Sequence, residues 1–291
     1  KTLLNALGEA GISPDALNET VSAMNDALLG KDLAADAAEN GAQYESPLKI
    51  ANALFLGENE PLKDDFREIF EDGYDGKLFS VDFTDPSAVQ EINGWAEEQT
   101  NGKITELIES LDPSTVAAIA NAIYFSDSWA TPFGSEDTEN GTFYGAVFEE
   151  EAPLMRHEFE QNTYYEDETM QATVLPTVSG GQMIVLLPKE GTTPEELLAG
   201  MDAQKLDDVL AGDFATVDLT LPRFSLTSGT FSVKEAMEAL GITLTDSVNP
   251  HLTGLVDGEA LYISDAVQKA MIEVDEDGMT ASAATVMGIM R

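Results

Sequence analysis

The chain has 291 residues, 43% of them hydrophobic, which is enough to bury a large core as one or two domains. Fourteen Lys and Arg stand against 54 Asp and Glu, a net charge of −40, so the surface repels nucleic acid and anionic membranes and either attracts basic partners or serves solubility. There is no cysteine, which removes disulfides, thiol nucleophiles and zinc–thiolate sites, and there is no apolar run of about 18 residues to cross a membrane as a helix.

Residues 1–8 read as amphipathic helix and not as a charged-then-apolar signal peptide. Either the protein has no signal or this chain starts inside a longer one, and the abrupt end at Arg291 raises the same expectation there. Ser13-Pro14 starts a helix, a hydroxyl cap followed by Pro at the first helical position. Leu17, Val21, Met24 and Leu28 then share one face, and Gly30 stops the run. Residues 48–56 (LKIANALFL) read as a strand. Residues 61–70 form a short helix with Phe66, Ile69 and Phe70 inward, and residues 78–83 alternate like a strand. Asp85-Pro86 opens a helix with Val89, Ile92, Trp95 and Ala96 on its apolar side, closed by Asn101-Gly102. Residues 116–125 (VAAIANAIYF) are nearly continuous apolar sequence, which predicts a strand covered on both faces inside a large sheet. Residues 183–187 (MIVLL) read the same way. Residues 193–210 predict helix in two pieces. Residues 217–224 alternate, with Pro222 marking a strand edge or end. Ser232 caps a helix to Leu240 that Gly241 terminates, and residues 270–274 form a strand. The sum is one mixed domain of several strands and about seven or more helices.

The common catalytic patterns fail when tested one by one. His157-Glu158 begins like the zinc helix H-E-x-x-H, but Gln161 stands where the second histidine is needed. Residues 273–278 (EVDEDG) resemble a calcium loop, but Glu273 opens it and Ala284 replaces the bidentate Glu at its twelfth position. Gly30-Lys31 and Gly76-Lys77 lack both the upstream Gly and the following Ser or Thr of a phosphate loop. A Ser–His triad needs His157 or His251, and neither sits in a recognisable motif; surface or packed histidines are the plainer reading.

Residues 278–291 read GMTASAATVMGIMR. Positions 280–285 are all small, there is no Pro, and the only charge is Arg291. Asp275, Glu276 and Asp277 lie just upstream as a solvated hinge, and Gly278 supplies backbone freedom. An ordinary Ala-rich helix or tail accounts for this composition; so does a loop that slides between two strands. Ala281, Ala283 and Thr285 share one strand face while Thr280, Ser282 and Ala284 share the other. Small side chains pass under packed helices, whereas charged ones are buried unpaired. About a dozen new backbone hydrogen bonds at roughly 0.5–1.5 kcal/mol each, with side-chain burial, amount to on the order of 10–20 kcal/mol. That equals or exceeds a typical domain stability of about 5–15 kcal/mol, so a fold withholding this strand is metastable.

At this point the sequence resembles a known family, the serpins, and among them the prokaryotic inhibitory ones. Asn121-Ala122-Ile123-Tyr124-Phe125, Trp129 and Pro132-Phe133 look like the family's N-A-x-Y-F-x-x-x-W-x-x-P-F block. Ile92-Asn93-Gly94-Trp95 with Thr100-Asn101-Gly102-Lys103-Ile104 is similar to its I-N-x-W…T-x-G-K-I block. Ala152-Pro153-Leu154-Met155, Leu221-Pro222-Arg223-Phe224 and Leu240-Gly241-Ile242 recur in family order, and residues 273–285 resemble the reactive-loop hinge. The match runs over essentially the whole chain. Three departures stand out: Met279 where Thr is usual, Gln268 where His is usual, and no Phe near Thr245.

The resemblance implies an α+β serpin fold with three β-sheets, a large central sheet A, and eight or nine helices. It implies a single domain over residues 1–291, incomplete at both ends, with hinge and reactive-centre loop at 275–291. It also implies no catalysis and no cofactor, but suicide inhibition of a serine protease: the loop is cut, an acyl-enzyme is trapped, and the loop enters the sheet as a strand. Carried over residue by residue, the hinge is Glu276, Asp277, Gly278, Met279, Thr280, Ala281, Ser282, Ala283, Ala284 and Thr285. The reactive-site region is Ile289, Met290 and Arg291, and the insertion gate is Trp129 and Asn121. Expected partners are a trypsin-like or an elastase- or subtilisin-like protease, with the acidic charge favouring a basic one, and a C-terminal fragment of the same protein. Neither nucleic acid nor membrane is expected, and the protein reads as a monomer, secreted or at the cell surface. A non-inhibitory serpin-like binding or storage protein is the alternative. An end inside the loop further suggests the large fragment of a loop-cleaved molecule, with residues 278–291 already a strand.

Overall fold

A computed structural model describes residues 12–145, 149–248, 252–258 and 260–291. The predicted helix at residues 1–8 and His251 lie outside them. The chain divides into two compact units. One holds Lys1–Phe125, Leu226–Ile272 and Ala281–Arg291; the other holds Ser126–Ser225 and Glu273–Thr280.

The first unit begins with α1 (Pro14–Leu28) and α2 (Lys31–Glu39). The Ser13 hydroxyl accepts from the Ala16 N–H at 3.1 Å, as a cap should, and Gly30 breaks the run at φ 65°. The face carrying Leu17 and Val21 is only half-buried, and Met24 and Leu28 are exposed. Strand β1 (Leu48–Gly57) pairs parallel with β2 (Gly76–Val81) and antiparallel with β3 (Ala117–Ser128). Between β1 and β2 lies α3 (Asp64–Glu68), which widens into a π turn at Ile69–Gly73. Phe66 and Phe70 stack 5.6 Å apart, but Ile69 is 42% exposed, a correction to its expected inward placement: the wider turn points it outward.

Helix α4 (Ser87–Gln99) covers this sheet. Its Ile92, Trp95 and Ala96 pack on Ala53 and Phe55 of β1 and on Ala118, Ala120 and Ala122 of β3. The run of alanines allows that close approach, and Asn101 at φ 50° and Gly102 at φ 77° close the helix as predicted. The full sheet has seven strands in the order β10-β11-β12-β3-β1-β2, with β9 also on β11. These are β9 (Phe224–Thr227), β10 (Phe231–Ser232), β11 (Tyr262–Val274) and β12 (Gly278–Met290). Ser232 belongs to β10 and does not cap the next helix, which runs over Lys234–Ala239 without a side-chain cap.

The second unit is built on β4 (Thr138–Tyr144), β5 (Glu149–Glu166), β6 (Met170–Pro176), β7 (Gln182–Pro188) and β8 (Asp213–Pro222). The order is β4-β5-β6-β7, with β8 on β5. Residues 183–187 were expected inside a sheet. Among the described residues β7 is instead the last strand of its sheet, with Leu187 60% exposed. A continuous apolar run gives burial propensity but not position in the order. Two short helices, Pro194–Ala199 and Ala203–Leu210, occupy the segment expected to be helical in two pieces. The Lys205 ammonium meets the Asp167 carboxylate and lies 2.9 Å from the Tyr165 hydroxyl, holding the second helix to the β5–β6 turn. The Lys205 contact, followed by bonds from Thr169 and Met170, holds the Asp167 carboxyl far below the usual carboxylate range.

Candidate functional site

Residues 275–277 join β11 to β12 in a tight turn. The Asp275 carboxylate accepts from the N–H groups of Asp277 and Gly278, each at 3.0 Å, so a short polar side chain satisfies the turn's own donors. Trp129 is 3% exposed and grips this turn twice. Its indole N–H donates to the Asp275 carbonyl at 2.9 Å, and its backbone N–H donates to the Asp277 carbonyl at 2.9 Å. The Phe133 N–H donates to the Glu276 carbonyl at 3.0 Å. The Glu276 carboxylate accepts from the Thr138 hydroxyl at 2.8 Å and lies 3.5 Å from the Arg223 guanidinium. The Thr138 bond first, and Arg223 after it, hold this carboxyl below its ordinary value.

Gly278 was expected to act through backbone freedom. Its φ is not in the left-handed region. What it provides is space: a Cβ at this position would lie 2.2 Å from the Asp127 carbonyl oxygen and 2.9 Å from the Ser128 Cα. The two backbones come together where β12 begins beside β3. Met279 is half-buried, and the Thr280 hydroxyl meets the Ser126 hydroxyl at 3.1 Å.

From Ala281 onward the strand lies in the first unit. The face with Ser282, Ala284 and Val286 is buried, while Ala281, Ala283 and Thr285 are half-buried. Ala284 and Val286 join the cluster of Ile92, Trp95, Ala118, Ala120 and Ala122. The small side chains at 280–285 suit the alanine-lined face they pack against. At the far end Ile289 packs with Leu54, Val116 and Leu261, and its carbonyl accepts from the Val116 N–H at 2.8 Å. The Tyr262 hydroxyl reaches the Met290 sulfur at 3.8 Å. The Arg291 guanidinium meets the Glu60 carboxylate through two nitrogens, at 3.0 and 2.5 Å.

The structure thus brings Trp129 together with Glu276, Asp277 and Gly278. Asn121 lies in β3 but turns toward β1: its amide donates to Asn52 Oδ1 at 2.9 Å and to the Ala51 carbonyl at 3.3 Å. Phe133, Thr138, Arg223 and Glu60 were not singled out from sequence. Phe133 and Arg223 stood inside the quoted blocks; Thr138 and Glu60 carried no signal. His157 sits on β5 among Phe133 and Phe159, a packed histidine on a strand and not part of a metal helix.

The strand order places β12 between β11 and β3, with Trp129 at one end and Glu60 at the other. The serpin (serine protease inhibitor) family matches residues 1–291. An uncharacterized serpin-like protein of Thermococcus kodakarensis is 33% identical over 245 residues, covering 82% of this chain and 56% of that one. Antichymotrypsin-2 of Bombyx mori is 27% identical over 293 residues, covering 98% and 78%. Among solved structures, a cleaved serpin named Serpin 42Da superposes with a TM-score of 0.85 at 25% identity, covering 100% of this chain and 76% of that one. Thyroxine-binding globulin bound to a thyroxine derivative gives 0.79 at 30% identity, covering 84% and 73%. The chain belongs to the serpin family. It spans 56% and 61% of the lengths of the first two curated relatives it matches.

Proposed function

We propose that this protein inhibits serine proteases as a suicide substrate, with residues 275–291 as hinge and reactive-centre loop of a single serpin domain. The observation that carries the reading is the place of β12, between β11 and β3 inside the large sheet. The protease attacks the exposed loop and becomes an ester of the residue before the cut. The loop then enters the sheet, and the enzyme is carried with it before water can release it. Glu276 to Gly278 enter first, beside Trp129, and the small residues to Thr285 follow beneath α4.

The target is trypsin-like if Arg291 is the residue the protease reads, and elastase- or subtilisin-like if the next residue is read. The −40 charge favours a basic target, steered by long-range attraction that salt screens. A C-terminal fragment of the same protein is a partner, and the apolar edge of β7 suits an added strand. The protein acts as an extracellular monomer without a cofactor. Titrating trypsin, chymotrypsin and elastase with the intact protein tests the proposal. Stoichiometric, irreversible loss of activity of one enzyme supports it; full recovery of all three, with the loop cut, contradicts it and favours a non-inhibitory member of the family.

A further inference from the structure

We infer that Glu60 is a receptor for the Arg291 side chain, a latch that fixes the far end of the inserted strand. The inference rests on the insertion reading above. Arg291 carries the only charge in residues 278–291. It ends on a carboxylate in a chain where acids outnumber bases by 40. The pair is bidentate, the geometry in which a guanidinium and a carboxylate match best.

The turn bearing Glu60 is built independently of Arg291. Asn59 takes the left-handed conformation at φ 71°, and the Glu60 N–H donates to the Gly57 carbonyl at 3.1 Å. The Glu58 N–H donates to the Val81 carbonyl at 3.0 Å, tying the turn to β2. Gly57 leaves room for it: a Cβ there would meet the Glu60 Cγ at 3.3 Å and the Val116 carbonyl at 3.2 Å. A short relay then joins turn and strand. The Gly57 N–H donates to the Val116 carbonyl at 2.9 Å, and the Val116 N–H donates to the Ile289 carbonyl at 2.8 Å. The backbone that carries the carboxylate is therefore built without Arg291, and the pair opposes fraying or withdrawal of the strand's end. It offers a guanidinium the same chemistry as an acidic specificity pocket, so an arginine drawn here is held away from such a pocket.

The test uses the full-length protein with Glu60→Gln, Arg291→Gln and both. Each is compared intact and after a loop cut verified by mass, by urea unfolding at low and at 1 M salt. The latch predicts that each single substitution lowers the midpoint of the cut form and that the double variant falls no further than either single. It also predicts that the intact form does not move and that salt weakens only the unsubstituted cut form. Additive losses, or equal losses in intact and cut forms, overturn the latch while leaving insertion standing. A cut protein no more stable than the intact one overturns the insertion reading and the latch with it.

Discussion

Ser282 offers a sharp quantitative test, because its substitution should improve the inserted form. It is 4% exposed on the buried face of β12, and its hydroxyl has no hydrogen-bond partner among the described residues. A buried, unsatisfied hydroxyl costs about 1–3 kcal/mol. Ser282→Ala removes that one oxygen and keeps the Cβ, so the void left behind is small. The inserted form should gain about 1–2 kcal/mol, the lower part of that range once the lost packing is subtracted. For a chain of this size 1 kcal/mol moves Tm by about 2–4 °C. On the proposed mechanism residue 282 of the intact form lies on the exposed loop, so nothing should change there. The assay is paired thermal and urea unfolding of intact and cut protein. A cut form destabilised by the substitution would mean that the hydroxyl is satisfied, and equal shifts in both forms would mean that residue 282 does not change environment.

Four more substitutions follow, three of them on the same path. Ala284→Glu places a carboxylate in a fully buried position beside Ile92, Trp95 and Ala120, which costs about 3–5 kcal/mol when unpaired; protease titration should show cleavage with activity retained. Gly278→Ala forces a Cβ onto the Asp127 carbonyl, and overpacking of this kind costs about 1–3 kcal/mol, so insertion slows when followed by stopped-flow fluorescence of Trp129. The Glu276 carboxyl is held below its ordinary value, so its stabilisation is present above the unfolded value near 4.5 and is lost as pH falls through the folded value. Glu276→Gln should flatten that acid-side loss in unfolding experiments between about pH 5 and 3. Lys205→Met removes the first cause of the depressed Asp167 carboxyl and leaves the Thr169, Met170 and Tyr165 donors; the pH dependence of unfolding below about pH 4 should shrink, and an unchanged profile would show that these donors suffice.

The elements most legible in the sequence are those in which local chemistry and burial agree. Ser13-Pro14, Asp85-Pro86 and Asn101-Gly102 marked helix ends because caps and left-handed turns need those residue types. Residues 116–125 announced an interior strand, whereas the small run 280–285 fitted an Ala-rich helix or tail as well as the strand it forms. Elements fixed by tertiary partners were not legible. Strands β4, β5 and β6 lack strong alternation, and only their pairing with each other and with β8 defines them. The edge place of β7 depends on its neighbours, not on its own apolar run. At the site, Trp129 and the hinge came from motif resemblance. Glu60 and Thr138 lie 231 and 138 residues from the side chains they meet, and no local pattern encodes a partner at that distance. Gly278 was read for backbone freedom; here its φ lies outside the left-handed region, and close approach to Asp127 is a separate demand for glycine.

The central claim is that the loop traps a protease by entering the sheet. The most direct measurement incubates the intact protein with an equimolar serine protease and resolves the products on a denaturing gel with mass identification. The account predicts a covalent band of protease plus inhibitor, linked at the residue before the cut, together with release of a C-terminal fragment. A cut protein, a free active protease and no covalent band with any of trypsin, chymotrypsin and elastase would contradict it.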